Sequence, residues 1–148
     1  MKKFAAIILV LLFILSGCGG NKSLGESAEA ISDTDILRLK ITDVSESQIA
    51  LEIINESKCE IAYEESYFIE FEKDGRWHRL APKNEDYAFI EVAYVLEKES
   101  TCTWGHKFEQ IYGKLPEGKY RIIKYFTVFE SENDPGEKMT LAAQFRLG

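Results

Sequence analysis

The sequence predicts an all-β protein, a sandwich of two antiparallel sheets built from seven or eight short strands. Three observations carry that expectation. From about position 35 onward, apolar residues alternate with polar ones instead of recurring every three or four positions, the period-two signature of half-buried strands. Proline and glycine stand at the joints between these runs. Asp74-Gly75, between the alternating runs 67–73 and 76–80, is the dipeptide that accepts positive φ at both centres of a type I′ hairpin turn.

Taken in order, Ile36, Arg38 and Lys40 separate from Leu37, Leu39 and Ile41 onto two faces of a first strand. Residues 48–55 repeat the pattern after the polar turn 43–47. The hairpin 67–80 supplies two more strands, with Glu70 and Glu72 on a face expected to meet solvent. Further strands are expected at 89–96, 100–104, 120–129 and 140–147, and a helical turn fits only within 104–112. Leu115-Pro116-Glu117-Gly118-Lys119-Tyr120 places Pro and Gly at a corner and a tyrosine at the opening of the next strand. That is the layout of a tyrosine corner, in which the phenol of Tyr120 would bond to backbone a few residues upstream and pin the connection between sheets.

The first 18 residues read differently. Lys2-Lys3 precede an unbroken apolar run of 12 residues, 4–15, and Ser16-Gly17 lead to Cys18. This is the layout of a secretory signal peptide, and the run is shorter than the roughly 20 residues that span a bilayer as a helix. Leu15-Ser16-Gly17-Cys18 resembles the lipobox of bacterial lipoproteins. That resemblance implies cleavage after residue 17, diacylation of Cys18 and tethering to the membrane on its extracytoplasmic side. Two acyl chains hold a protein where one does not. Residues 18–33, small and polar after the cysteine, are expected to be a flexible tether, and 34–148 the folded domain.

The order Asn55-Glu56-Ser57, Tyr67-Phe68-Ile69-Glu70, Trp77, Trp104 and then the run from Tyr112 through Leu115-Pro116-Glu117-Gly118-Lys119-Tyr120 to Lys124 resembles an immunoglobulin-like domain family of bacterial lipoproteins. The resemblance covers about 35–148 and implies an immunoglobulin-like sandwich and an envelope location, without catalytic residues. A looser likeness, in the strand succession and the Leu-Pro-Glu-Gly-Lys-Tyr corner, connects the chain to small immunoglobulin-like proteinase inhibitors of bacilli.

With Cys18 lipidated, Cys59 and Cys102 remain. In an oxidising compartment they are candidates for a disulfide; the alternative is a pair of reduced, buried thiols.

Chemistry is sparse. His78 and His106 are the two histidines, at no zinc-site spacing from other ligands, and both are expected at the surface or rim. Glu64-Glu65, Glu70 with Glu72, and Glu85-Asp86 match no calcium loop. Neither a nucleophile elbow nor a phosphate loop occurs in the sequence. No catalytic residue, metal site or cofactor is assigned, and the chain is expected not to be an enzyme. Removing Lys2 and Lys3 leaves 16 basic against 25 acidic residues, a charge of −9 that argues against nucleic acid as a partner. The expected function is a membrane-anchored binding module for a protein or envelope component, with an inhibitor presenting a loop as the alternative. The aromatic residues Trp77, Trp104, Tyr63, Tyr67, Tyr87, Tyr94 and Tyr112 are expected mainly to pack in core and rim, with a carbohydrate or peptide platform as the alternative, and the loops 81–88 and 130–138 are the surfaces to inspect.

Overall fold

The computed structural model describes residues 22–148. The chain forms β1 (Ser23–Glu26), β2 (Leu37–Val44), β3 (Ile49–Asn55), β4 (Glu60–Glu64), β5 (Phe68–Lys73), β6 (Arg76–Leu80), β7 (Ala93–Leu96), β8 (Ser100–His106), the single turn α1 (Glu109–Tyr112), β9 (Gly118–Phe129) and β10 (Glu137–Leu147). Two antiparallel sheets result. The smaller has the order β2-β3-β8; the larger runs β1-β6-β5-β9-β4-β7, with β10 along the other side of β9. Leu51 and Ile53 from the small sheet and Ile61, Ile122 and Phe126 from the large one share a single buried cluster, so the molecule is the two-layer sandwich that the alternation predicted.

Local chemistry explains the elements. Asp74 and Gly75 both have positive φ, and Lys73 pairs with Arg76 across them, the tight hairpin expected of that dipeptide. In β3, Ile49, Leu51 and Ile53 are buried while the residues between them are half-exposed. Asn55 continues the inward set and is buried, but its amide is fully used. It donates to the carbonyls of Cys59 and Glu97 at 2.8 and 2.9 Å and accepts from the backbone N–H and hydroxyl of Ser57. One side chain thus joins the β3–β4 turn to the β7–β8 turn. Tyr120 donates its hydroxyl to the Pro116 carbonyl at 2.8 Å, the contact that defines a tyrosine corner.

Two strands lie outside the sequence-based expectation. β4 is a five-residue strand that its own alternation marks weakly; β9 and β7 on either side hold it. β1 falls inside the stretch expected to be a flexible tether, and over its described part that expectation is corrected. Ser23 pairs with Leu80 and Glu26 with His78, the Ser27 N–H donates to the Trp77 carbonyl, and Ser32 exchanges two hydrogen bonds with the backbone of Thr140. Residues 22–33 are therefore an edge strand followed by a strap across the outer face of the large sheet. Main-chain pairing needs no particular side chains, so small polar residues do not betray it.

Candidate functional site

The large sheet is broken at its middle, and the features with chemical potential gather around the break. Tyr63 opposes Phe126 and Phe68 opposes Ile123, so residues 64–67 face only Lys124 and Tyr125. Such a bulge takes backbone carbonyls out of the ladder and demands another donor. Lys124, fully buried between the sheets, is that donor: its Nζ gives hydrogen bonds to the carbonyls of Glu64 (2.8 Å) and Ser66 (3.2 Å) and lies 4.0 Å from the centre of the Trp104 ring. Burial pulls the ammonium pKa down to about 8, against the opposing pull of Glu65 and Glu64.

Tyr67, from the same bulge, is the hub of an aromatic group. Its ring lies within 5.2 Å of the rings of Phe89, Trp104 and His106, and its hydroxyl shares a 2.9 Å hydrogen bond with Nδ1 of His106. Burial raises the Tyr67 phenol above its ordinary value, and burial lowers His106 despite the nearby Glu65 carboxylate. Glu65 also accepts from the Trp104 indole at 3.3 Å. Near neutral pH this group is a neutral phenol against a neutral imidazole, a packed hydrogen-bonded unit. His106 is thus half-buried and anchored, while His78 stacks on Phe71.

The expectation that Glu70 meets solvent is corrected. Glu70 does lie on the outer face, but the strap covers it completely: its carboxylate accepts from Arg121 Nε at 2.7 Å and from the Ser27 hydroxyl, with Arg79 at 3.5 Å. Glu29 of the strap pairs with Arg79 at 2.8 Å. Among the described residues every buried side-chain nitrogen and oxygen has a hydrogen-bond partner, so these buried ions serve the architecture.

Cys18 lies outside the described residues. Cys59, in the β3–β4 turn, and Cys102, opposite Ile53 on β8, are half-buried and free in this structure. Cys102 Sγ sits 3.3 Å from the Tyr63 hydroxyl, an internal partner for that thiol. No cluster of three or more His, Cys, Asp or Glu able to hold a metal ion occurs among the described residues.

Two loops stand at the surface. Loop 81–92 leaves and rejoins the large sheet at the break; the Lys83 N–H donates to the Ile111 carbonyl, and Phe89 is turned in on Tyr67. Ile90 of the loop is 66% exposed; on β7 Val95 is 62% exposed, whereas Tyr94 stacks on Tyr63 and Leu96 is buried. Loop 130–136 closes the β9–β10 hairpin at the end of the sandwich and is acidic. The Asp134 carboxylate accepts from the backbone N–H groups of Glu130 and Gly136, which hold its pKa down. An open cleft there is rimmed by Lys58, Lys98, Glu130 and Glu132.

Sequence reasoning did not single out Lys124, though the signal was present: Tyr120, Ile122, Lys124, Phe126 and Val128 share one strand parity, which is the inward one. For Glu70 there was no signal, because what covers it comes from 43 positions upstream. No curated protein and no solved structure matches the chain. The model of the bacterial Ig-like domain family matches residues 36–146, from the start of β2 to the last turn of the β10 ladder. The two antiparallel sheets are consistent with that match, and the chain belongs to the bacterial Ig-like domain family.

Proposed function

We propose that this protein is an extracytoplasmic lipoprotein, held to the membrane by diacylglycerol on Cys18, whose Ig-like domain is a non-enzymatic module for contact with a protein or envelope component. One observation carries the anchoring: Leu15-Ser16-Gly17-Cys18 stands directly behind a 12-residue apolar run that opens with Lys2-Lys3. The module reading is supported by the family and by where the polar chemistry goes. The buried ions and the Tyr67–His106 pair are engaged within the fold, leaving loop surfaces to meet partners. The acidic loop 130–136 and the lysines beside it form the surface suited to a polar partner.

Replacing Cys18 with alanine and fractionating cells tests the anchor. Release of the variant from the membrane fraction is the expected result, and continued extraction by detergent alone would overturn it. For the module, the purified lipoprotein should retain an envelope component that charge reversal at Glu130 and Glu132 releases. Dose-dependent slowing of an added proteinase would instead make it an inhibitor presenting a loop, and turnover of a substrate would make it an enzyme.

A further inference from the structure

Lys22 is tied to the root of an exposed loop. The Lys22 carbonyl accepts the N–H of Ala81 at 2.8 Å, its ammonium pairs with Glu85 at 2.6 Å, and Ser23 is in register with Leu80. Lys22 therefore sits at the base of loop 81–92. Upstream, only Gly19, Gly20 and Asn21 separate it from Cys18, and a chain of that length reaches about 14 Å at full extension. Of the seven large apolar side chains exposed among the described residues, five lie on this loop and β7, and Leu24 and Ile31 lie on β1 and the strap. On β7, Val95 faces away from the other sheet while Tyr94 stacks on Tyr63, and on the loop Tyr87 packs edge-on against Phe89, so Ile90 and Val92 are the loop's outward apolar side chains. The base of the loop is fixed by the Lys83–Ile111 hydrogen bond and by Phe89 against Tyr67, so that pair is presented by a braced support.

We propose that Ile90 and Val92 of loop 81–92 form a bilayer contact, which the lipid on Cys18 brings down onto the outer leaflet. This rests on the lipid-anchor reading. A short leash with its fold-side end at the base of an apolar loop leaves that loop within reach of the interface, and lipid is the occupant the leash selects. Ile90 and Val92 enter the acyl boundary, while Tyr87 on the same loop keeps its hydroxyl at headgroup level, the usual division for aliphatic and phenolic side chains. Glu85, Asp86 and Glu91 flank these residues. Contact is therefore driven by apolar area, does not strengthen with anionic lipid and does not weaken with salt. The domain is thereby oriented on the membrane by two points, one covalent and one apolar.

The test uses the full lipidated protein in phosphatidylcholine vesicles with a minor fraction of phosphatidylglycerol. Ile90→Trp and Glu132→Trp, both at exposed positions, are compared after subtracting the emission of Trp77 and Trp104. The expected result is that the added Ile90→Trp emission is blue-shifted and loses most of its intensity when the phosphatidylcholine is brominated near the top of its chains. Emission from Glu132→Trp stays water-like and unquenched. Co-flotation of the protein with vesicles reads the anchor separately. If both variants float yet the Ile90→Trp emission is water-like, the contact is overturned and the anchor stands; if neither floats, both fall. A blue shift without quenching by brominated lipid, accompanied by a cross-linkable dimer, would show a second copy on this loop and also overturn the proposal.

Discussion

Lys124 and Glu70 are fully buried charges on neighbouring strands of one sheet, and they are accommodated in opposite ways. Lys124 faces inward between the sheets, where it meets two carbonyl oxygens and an indole face and no carboxylate within hydrogen-bonding distance. Glu70 faces outward and is closed in by Arg121, Arg79 and the hydroxyl of Ser27. Neutral dipoles satisfy the hydrogen bonds of an ion without cancelling its charge, so Lys124 loses part of its proton affinity. Opposite charges cancel it, at the cost that each ion then depends on the others. The inward ion repairs a broken ladder; the outward one fastens a strap.

Removing the carboxylate tests that dependence most severely. Glu70→Ala leaves two guanidinium groups without their shared anion, and a loss of about 3 kcal/mol in urea unfolding is expected, together with faster proteolytic cutting within 27–33. An unchanged cutting rate would separate the strap from the ion cluster. For Lys124 the sharper probe is pH. Its folded-state pKa is about 8 against an ordinary 10.5, so between those values the unfolded chain binds more protons than the folded one. Stability therefore rises with pH through that window, and the burden is fully present below about pH 8. Measured against Lys124→Met, which has no proton to lose, the wild type should gain about 2 kcal/mol between about pH 7.5 and 9.5. Parallel pH curves for the two proteins would mean that the buried amine is not the group responsible. Ser27→Ala, which deletes only the strap's hydroxyl from the Glu70 cluster, should cost about 1 kcal/mol and leave the pH dependence untouched.

Much of this fold was legible in advance. The hairpin at Asp74-Gly75, the Pro116–Tyr120 corner and the alternation in β3 and β9 are short-range patterns, and each appears where its residues stand. What escaped notice was written elsewhere in the chain. β4 is a strand because β7 and β9 flank it, and β1 because β6 offers an open edge. The strand expected at 89–96 begins only at Ala93, since residues 89–92 belong to the loop that packs Phe89 on Tyr67. Of the candidate surface, the apolar residues of the loop could be named from sequence, but their exposure could not.

The all-β class, the turns and the inward-facing parity can be read from local pattern, since period-two alternation and positive-φ dipeptides act over a few positions. The N-terminal layout on which the proposed anchor rests is equally a property of sequence alone. The burial of Glu70, the mending of a bulge by Lys124 and the meeting of Lys22 with the base of loop 81–92 arise from long-range packing. These depend on pairs separated by some 40 to 60 positions, and burial is set by whatever the rest of the chain lays over a residue.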